Sequence, residues 1–260
     1  MSPEVVISTV SAVVSLLGAV VVGWATAWSA RRVRQFDRSI EVQDRAQNKA
    51  EQAEAMLSRY REPLLGAAHN LQARLYNIVN KDFLASYLTD DDPDTRRYAR
   101  DYTVYVLAEY LCWAEIIRRD LRFLDLRGIA RNRTFVELIE ASHRTLSRGW
   151  AAQAWQLFRG QQRAIGELMM TETDAADAAR HESIGYVEYC ARLDTDATFG
   201  AWFARLRRNV DDLVHPDRDN QTRLIRLQNA LVDLIEFLDP DRERLPAKYR
   251  DRLAPDARSS

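Results

Sequence analysis

The chemistry on offer in this sequence is carried by two arginines and two glutamates. Arg159-Gly160-Gln161-Gln162-Arg163 reads as the opening of a helix. A helix start presents unpaired backbone N–H groups, and two guanidiniums beside them make a site for an anion. Glu167 stands four residues after Arg163, the spacing of an i,i+4 ion pair. Glu109 sits inside the apolar run YTVYVLAEYLCWAEII with no basic residue in the adjoining turns. A buried carboxylate without a partner is costly, so Glu109 must meet an arginine from another helix or hold a raised pKa. Glu109, Arg159, Arg163 and Glu167 are therefore the candidate ligand-binding residues.

Metal and nucleophile chemistry are weaker. Glu140 and His143 have the Glu-x-x-His spacing that di-iron bundles use twice, and Asp212 with His215 is an acidic near-match. The helical angles oppose a shared centre. Phe135, Leu138, Ile139, Ser142 and Leu146 define one inner face, and at ~100° per residue Glu140 lies roughly 140° from its middle. Phe199, Phe203, Leu206 and Val210 define another, from which Asp212 points away by the same reckoning. No metal and no cofactor is expected. His69, His143, His181 and His215 accompany no Gly-x-Ser-x-Gly turn, and neither a phosphate loop nor Gly-x-Gly-x-x-Gly is present. No catalytic residue is assigned, and a non-enzymatic role is favoured. The acidic turn at Asp90, Asp91 and Asp92 reads as a helix start, with Asp92 as N-cap and Pro93 at the first helical position. A calcium loop would need Gly at its turn and a Glu downstream.

The elements that must position these residues begin with the stretch Val5 to Ala30, which has no charge between Glu4 and Arg31. At about 1.5 Å per residue such a helix exceeds the ~30 Å hydrocarbon core of a bilayer. The N-terminal region carries no basic residue, which argues against a cleaved leader. Arg31, Arg32 and Arg34 follow the run, so the N-terminus is placed outside and the rest in the cytoplasm. Ser11, Ser15, Ala19, Gly23 and Ala27 recur every fourth residue and form a slanting ridge of small side chains. Such ridges let spanning helices approach closely, which predicts self-association in the bilayer.

Residues 31–59 contain neither Gly nor Pro and are rich in Ala, Glu, Gln and Arg, which predicts a helical, coiled-coil-like stalk. Apolar spacing then predicts helices from Leu64 to about Leu88, Pro93 to about Leu126, Thr134 to Arg148 and a further piece from Ala151. The stretch Thr171 to Ser183 reads as Ala-rich helix or loop. Helices from about Thr198 to His215 and Asn220 to Leu238 follow. Residues 240–260, with Pro240, Pro246 and Pro255 among many charges, read as a mobile tail.

Charge narrows the partners. The 260 residues hold 37 Lys and Arg against 38 Asp and Glu, and all but Glu4 of these lie at Arg31 or beyond. A part outside the membrane with balanced charge is not a nucleic-acid surface. Cys112 and Cys190, each in an apolar helical context, read as reduced core residues.

The stretches YREPLLGAAHNLQARLYNI (60–78), YARDYTVYVLAEYLCWAEIIRR (98–119) and RGQQRAIGELM (159–169) resemble a family of all-helical proteins with no assigned activity, some with an N-terminal membrane anchor. The resemblance spans about residues 58–240. It implies a shared helical fold and transfers no functional residue.

The sequence therefore predicts an all-α protein: a transmembrane signal anchor (1–30), a helical stalk (31–59), a cytoplasmic helical bundle (60–239) and a mobile charged tail (240–260). The favoured role is an interaction or sensor scaffold at the cell membrane, homo-oligomeric and working with a protein partner. The alternative is a tethered domain that binds a ligand or anion, with enzymatic activity open. An effector that perturbs the membrane is disfavoured, because the anchor has no internal charge to line a pore.

Overall fold

The computed structural model describes residues 58–121, 130–149, 155–173 and 180–254, together with Trp24, Gln47, Glu51 and Ala55. The chain divides into two units, residues 1–54 and 55–260. Apart from Trp24, the predicted anchor with its ridge of Ser11, Ser15, Ala19, Gly23 and Ala27 lies outside the described residues, as does most of the stalk. Among the described residues no helix is long and apolar enough to cross a membrane. In the first unit Gln47 Nε2 donates to Glu51 Oε1 at 3.1 Å, one helical turn away.

The second unit is mainly helical. Its first helix, α1, runs through residues 58–80. It does not continue to Leu88, because Asp82 adopts a left-handed backbone with φ 47° and a short α2 follows over Phe83–Tyr87. The long α3, Pro93–Leu121, starts as its sequence requires. Asp92 Oδ1 accepts from Asp94 N at 3.2 Å, and Oδ2 accepts from Thr95 N at 3.0 Å and from Thr95 Oγ1 at 2.6 Å. These bonds occupy orphan donors of the first turn.

Helix α3 runs through the middle of the unit. Val104, Val106, Leu107, Ala108, Tyr110, Leu111 and Cys112 are buried in succession, so apolar neighbours surround the helix instead of flanking one stripe. It packs against α5 (Arg159–Leu168), α6 (Tyr186–Thr195) and α7 (Ala197–Asp212). Helix α4 (Ala130–Ser147) packs against α8 (Arg218–Leu238). The inner faces fall where spacing puts them: Phe135, Ile139, Ser142 and Leu146 are buried on α4, and Phe199, Phe203, Leu206 and Val210 on α7. Tyr110 and Ser142 share a buried hydroxyl–hydroxyl bond of 2.6 Å that joins α3 to α4.

Three further parts of the unit differ from the sequence reading. The stretch expected as helix or loop contains an antiparallel hairpin: β1 (Met170–Thr173) pairs with β2 (Arg180–Ser183), with Met170 opposite Ser183. Residues 155–158, expected within a helical piece, are not helical. Trp155 is buried there with φ 58°, and Leu157 N donates to Leu146 O at 3.0 Å.

The third difference is the C-terminal segment. Residues 240–254, expected as a mobile tail, are docked. Arg250 and Asp239 form a buried ion pair of 2.6 Å, and Asp239 also accepts from the backbone N–H of Glu243, Arg244 and Leu245. Gln228 Nε2 donates to Asp251 O at 2.8 Å, Asn229 Nδ2 donates to Leu253 O at 3.1 Å, and the Leu253 side chain is buried. Paired side chains, satisfied backbone groups and the buried Leu253 together hold this segment.

Candidate functional site: a groove between α3, α4 and α5

Helices α3, α4 and α5 enclose an open groove of about 260 Å³. Leu111, Ala114 and Ile117 of α3 with Val136 and Ile139 of α4 give it apolar walls. Glu115 and Arg118 of α3, Glu140 and His143 of α4, and Arg159, Gln162 and Arg163 of α5 complete the lining. Val136 is 38% exposed although it lies among core residues, which marks the open side.

The close approach of α5 to α3 depends on Gly166. A Cβ there would come 2.7 Å from the Leu111 carbonyl oxygen and 2.9 Å from Glu115 Cβ. Glycine therefore allows the two backbones to meet beneath the groove.

The charges on the lining are largely paired. Arg118 Nε donates to Glu115 Oε2 at 2.6 Å, and its Nη2 donates to Oε1. Arg119 Nε donates to the same Oε1 at 3.1 Å. Burial alone would raise the Glu115 carboxyl, but these two guanidiniums outweigh it and hold the group below its ordinary range. Arg159 meets Glu140 through two bonds, Nη1 to Oε1 at 3.3 Å and Nη2 to Oε2 at 2.5 Å.

His143 is held as a neutral ring. Gln162 Nε2 donates to His143 O at 3.1 Å and to Leu157 O at 2.7 Å, so its Oε1 is left as the acceptor. That oxygen bonds His143 Nδ1, which must therefore carry the hydrogen. Burial lowers the ring's pKa, so Nε2 keeps its lone pair at neutral pH. Gln162 itself is only 2% exposed and ties α4, α5 and the 155–158 segment together.

Of the four residues singled out from sequence, Arg159 and Arg163 line the groove, and Glu109 and Glu167 do not. Glu167 bonds Arg119 at 2.8 Å instead of pairing with Arg163. Arg163 is exposed and makes no ion pair with any described residue. The helix start is also differently used: Gln162 N donates to Phe158 O at 3.0 Å, Gln161 Oε1 accepts from Phe158 N at 2.9 Å, and Arg159 is taken by Glu140.

Glu109 lies elsewhere on α3, beside Asn70, with Tyr105 Oη 3.4 Å from its Oε1. Its Oε2 is buried without a hydrogen bond. No arginine reaches it among the described residues, and burial raises its pKa. Of the two outcomes open to an unpaired carboxylate, the fold has taken the second. Nearby Cys112 is also inert, its thiol pushed up to about 12 by burial.

Sequence reasoning did not assign Arg118, Val136 or Gln162 to a site, and it considered Glu140 and His143 only as metal ligands. Helical phase places Glu140 near water, and the rim of a groove satisfies that phase as well as open solvent does.

The fold and the groove define a mainly helical domain in which, among the described residues that line an apolar cleft, Arg163 is the arginine left without an ion pair. Compared with family models, curated proteins and solved structures, the chain finds no match. The functional reading therefore rests on the chain's own residues.

Proposed function

We propose that this chain is a membrane-anchored binding module: residues 5–30 hold it in the cell membrane, and the α3–α4–α5 groove takes a small ligand with an anionic group. The charge-free stretch from Val5 to Ala30 with Arg31, Arg32 and Arg34 behind it supports the anchor and a cytoplasmic domain. The observation that carries the binding role is Arg163, which lacks an ion-pair partner among the described residues and lines a groove with apolar walls. Convergent polar groups over an apolar cleft are the usual form of a small-molecule site.

In this reading the ridge of small residues in the anchor brings copies together, and occupancy of the groove is passed to a protein partner. The module is then a sensor. Native mass spectrometry of the full chain, extracted gently from membranes, tests the assignment. A stoichiometric excess mass on the wild type that is absent from Arg163→Ala supports it. A clean homo-oligomer mass for both proteins returns the chain to a scaffold with no ligand.

A further inference from the structure

We infer that the ligand is an amphiphilic monoanion, a carboxylate on a short apolar chain; this rests on the groove being the binding site proposed above. The charge balance around the groove carries the inference. Arg118, Arg119, Arg159 and Arg163 stand against Glu115, Glu140 and Glu167. Glu115 neutralises Arg118 and shares Arg119 with Glu167, while Glu140 binds Arg159 through Nη1 and Nη2. His143 adds no charge, because burial keeps its ring neutral. Among the described residues of the groove one guanidinium, Arg163, remains uncompensated.

One free positive charge matches one negative charge. A phosphate monoester carries close to two charges at neutral pH and would need a second cation or the rupture of an existing pair. A carboxylate carries one, and its two oxygens fit the fork of an arginine. The rest of such a ligand must be apolar, since Leu111, Ala114, Ile117, Val136 and Ile139 make the walls. The chain must also be short. A volume of about 260 Å³ falls below the ~300–1,000 Å³ of sites that enclose drug-sized ligands.

Isothermal titration calorimetry of the full chain in lipid nanodiscs tests this with hexanoate, hexanol, hexylammonium, hexyl phosphate and inorganic phosphate as probes. Hexanoate is expected to bind one per chain, about tenfold or more tighter than hexanol, since a charged hydrogen bond is at stake. Hexylammonium and inorganic phosphate are expected to give no heat. Arg163→Ala should remove the preference of hexanoate over hexanol without lowering the melting temperature, and Arg163→Lys should restore part of it. Hexyl phosphate binding more tightly than hexanoate, with the gain lost in Arg163→Ala, would overturn the monoanion and leave the groove as the site. No binding of any probe, or binding indifferent to both Arg163→Ala and Val136→Asp, would overturn the groove reading as well.

Discussion

Gly166 packs directly on the Leu111 carbonyl, the oxygen of which a Cβ at position 166 would approach to 2.7 Å. The contact joins α3 and α5, two of the three helices that line the groove. Since the obstacle is backbone and the neighbouring Glu115 Cβ, no flexible side-chain end can swing aside. Gly166→Ala should destabilise the domain by about 1–3 kcal/mol, the usual cost of overpacking. Its advantage in helix propensity offsets under ~1 kcal/mol of that. Thermal melting of wild type and variant checks the sign.

Glu109 predicts a stabilising substitution. Its pKa is raised in the folded state by burial, whereas a free glutamate titrates near ~4.3. A raised carboxyl favours the fold at low pH, and that advantage disappears as pH rises through the folded value. Glu109→Gln removes the charge, so it should raise stability at neutral pH by abolishing the cost of burying an ionised carboxylate. The gain should shrink on acidification, as wild-type Glu109 protonates. Denaturant melts of both proteins across the acid range check it.

The buried Asp239–Arg250 pair holds the docked C-terminal segment. Burial alone would raise the Asp239 carboxyl, but the N–H groups of Leu245 and Arg244 and the charge of Arg250 outweigh it and lower the pKa. A lowered carboxyl gives stability that is complete above the unfolded value, near ~3.9, and lost as pH falls through the folded one. Arg250→Ala should therefore cost about 3–5 kcal/mol at neutral pH by leaving Asp239 buried and unpaired. Hydrogen exchange should rise first across residues 240–254.

The anchor predicts a change of a different kind. If Ser11, Ser15, Ala19, Gly23 and Ala27 form a helix contact, then Leu at positions 19 and 23 should weaken self-association without releasing the chain from membranes. Crosslinking in the membrane, compared between wild type and the Ala19→Leu, Gly23→Leu double variant, reads this out. Unchanged crosslinking would place the oligomer contact elsewhere.

Much of the fold could be read from residue types. The Asp92 cap and Pro93 announced α3, and the apolar run from Tyr102 to Ile117 placed it at the centre. Spacing found the inner faces of α4 and α7. The hairpin was hidden because Met170–Thr173 and Arg180–Ser183 are short strands separated by an Ala-rich stretch that signals helix. The docked terminus was hidden because its prolines and charges resemble a disordered tail. What orders it is the match of the Arg250 donors to Asp239 and the Leu245 carbonyl, and such long-range pairing leaves no periodic trace.

The groove was half visible. Arg159 and Arg163 stood out as charges at a helix start, but Arg159 turned out to serve Glu140, a residue nineteen positions earlier. No local spacing predicts that pairing. Val136 gave no signal at all, because an exposed valine is ordinary until the walls beside it are known.

The central claim is that ligand enters between α3, α4 and α5, and methyl NMR tests it most directly. In the full chain with labelled isoleucine and valine methyls, hexanoate should shift the signals of Ile117, Val136 and Ile139. Those of Ile225, Val232 and Ile235, buried on α8, should stay in place. Shifts confined to α8, or no shift of Ile117, Val136 and Ile139 with hexanoate present, would contradict it.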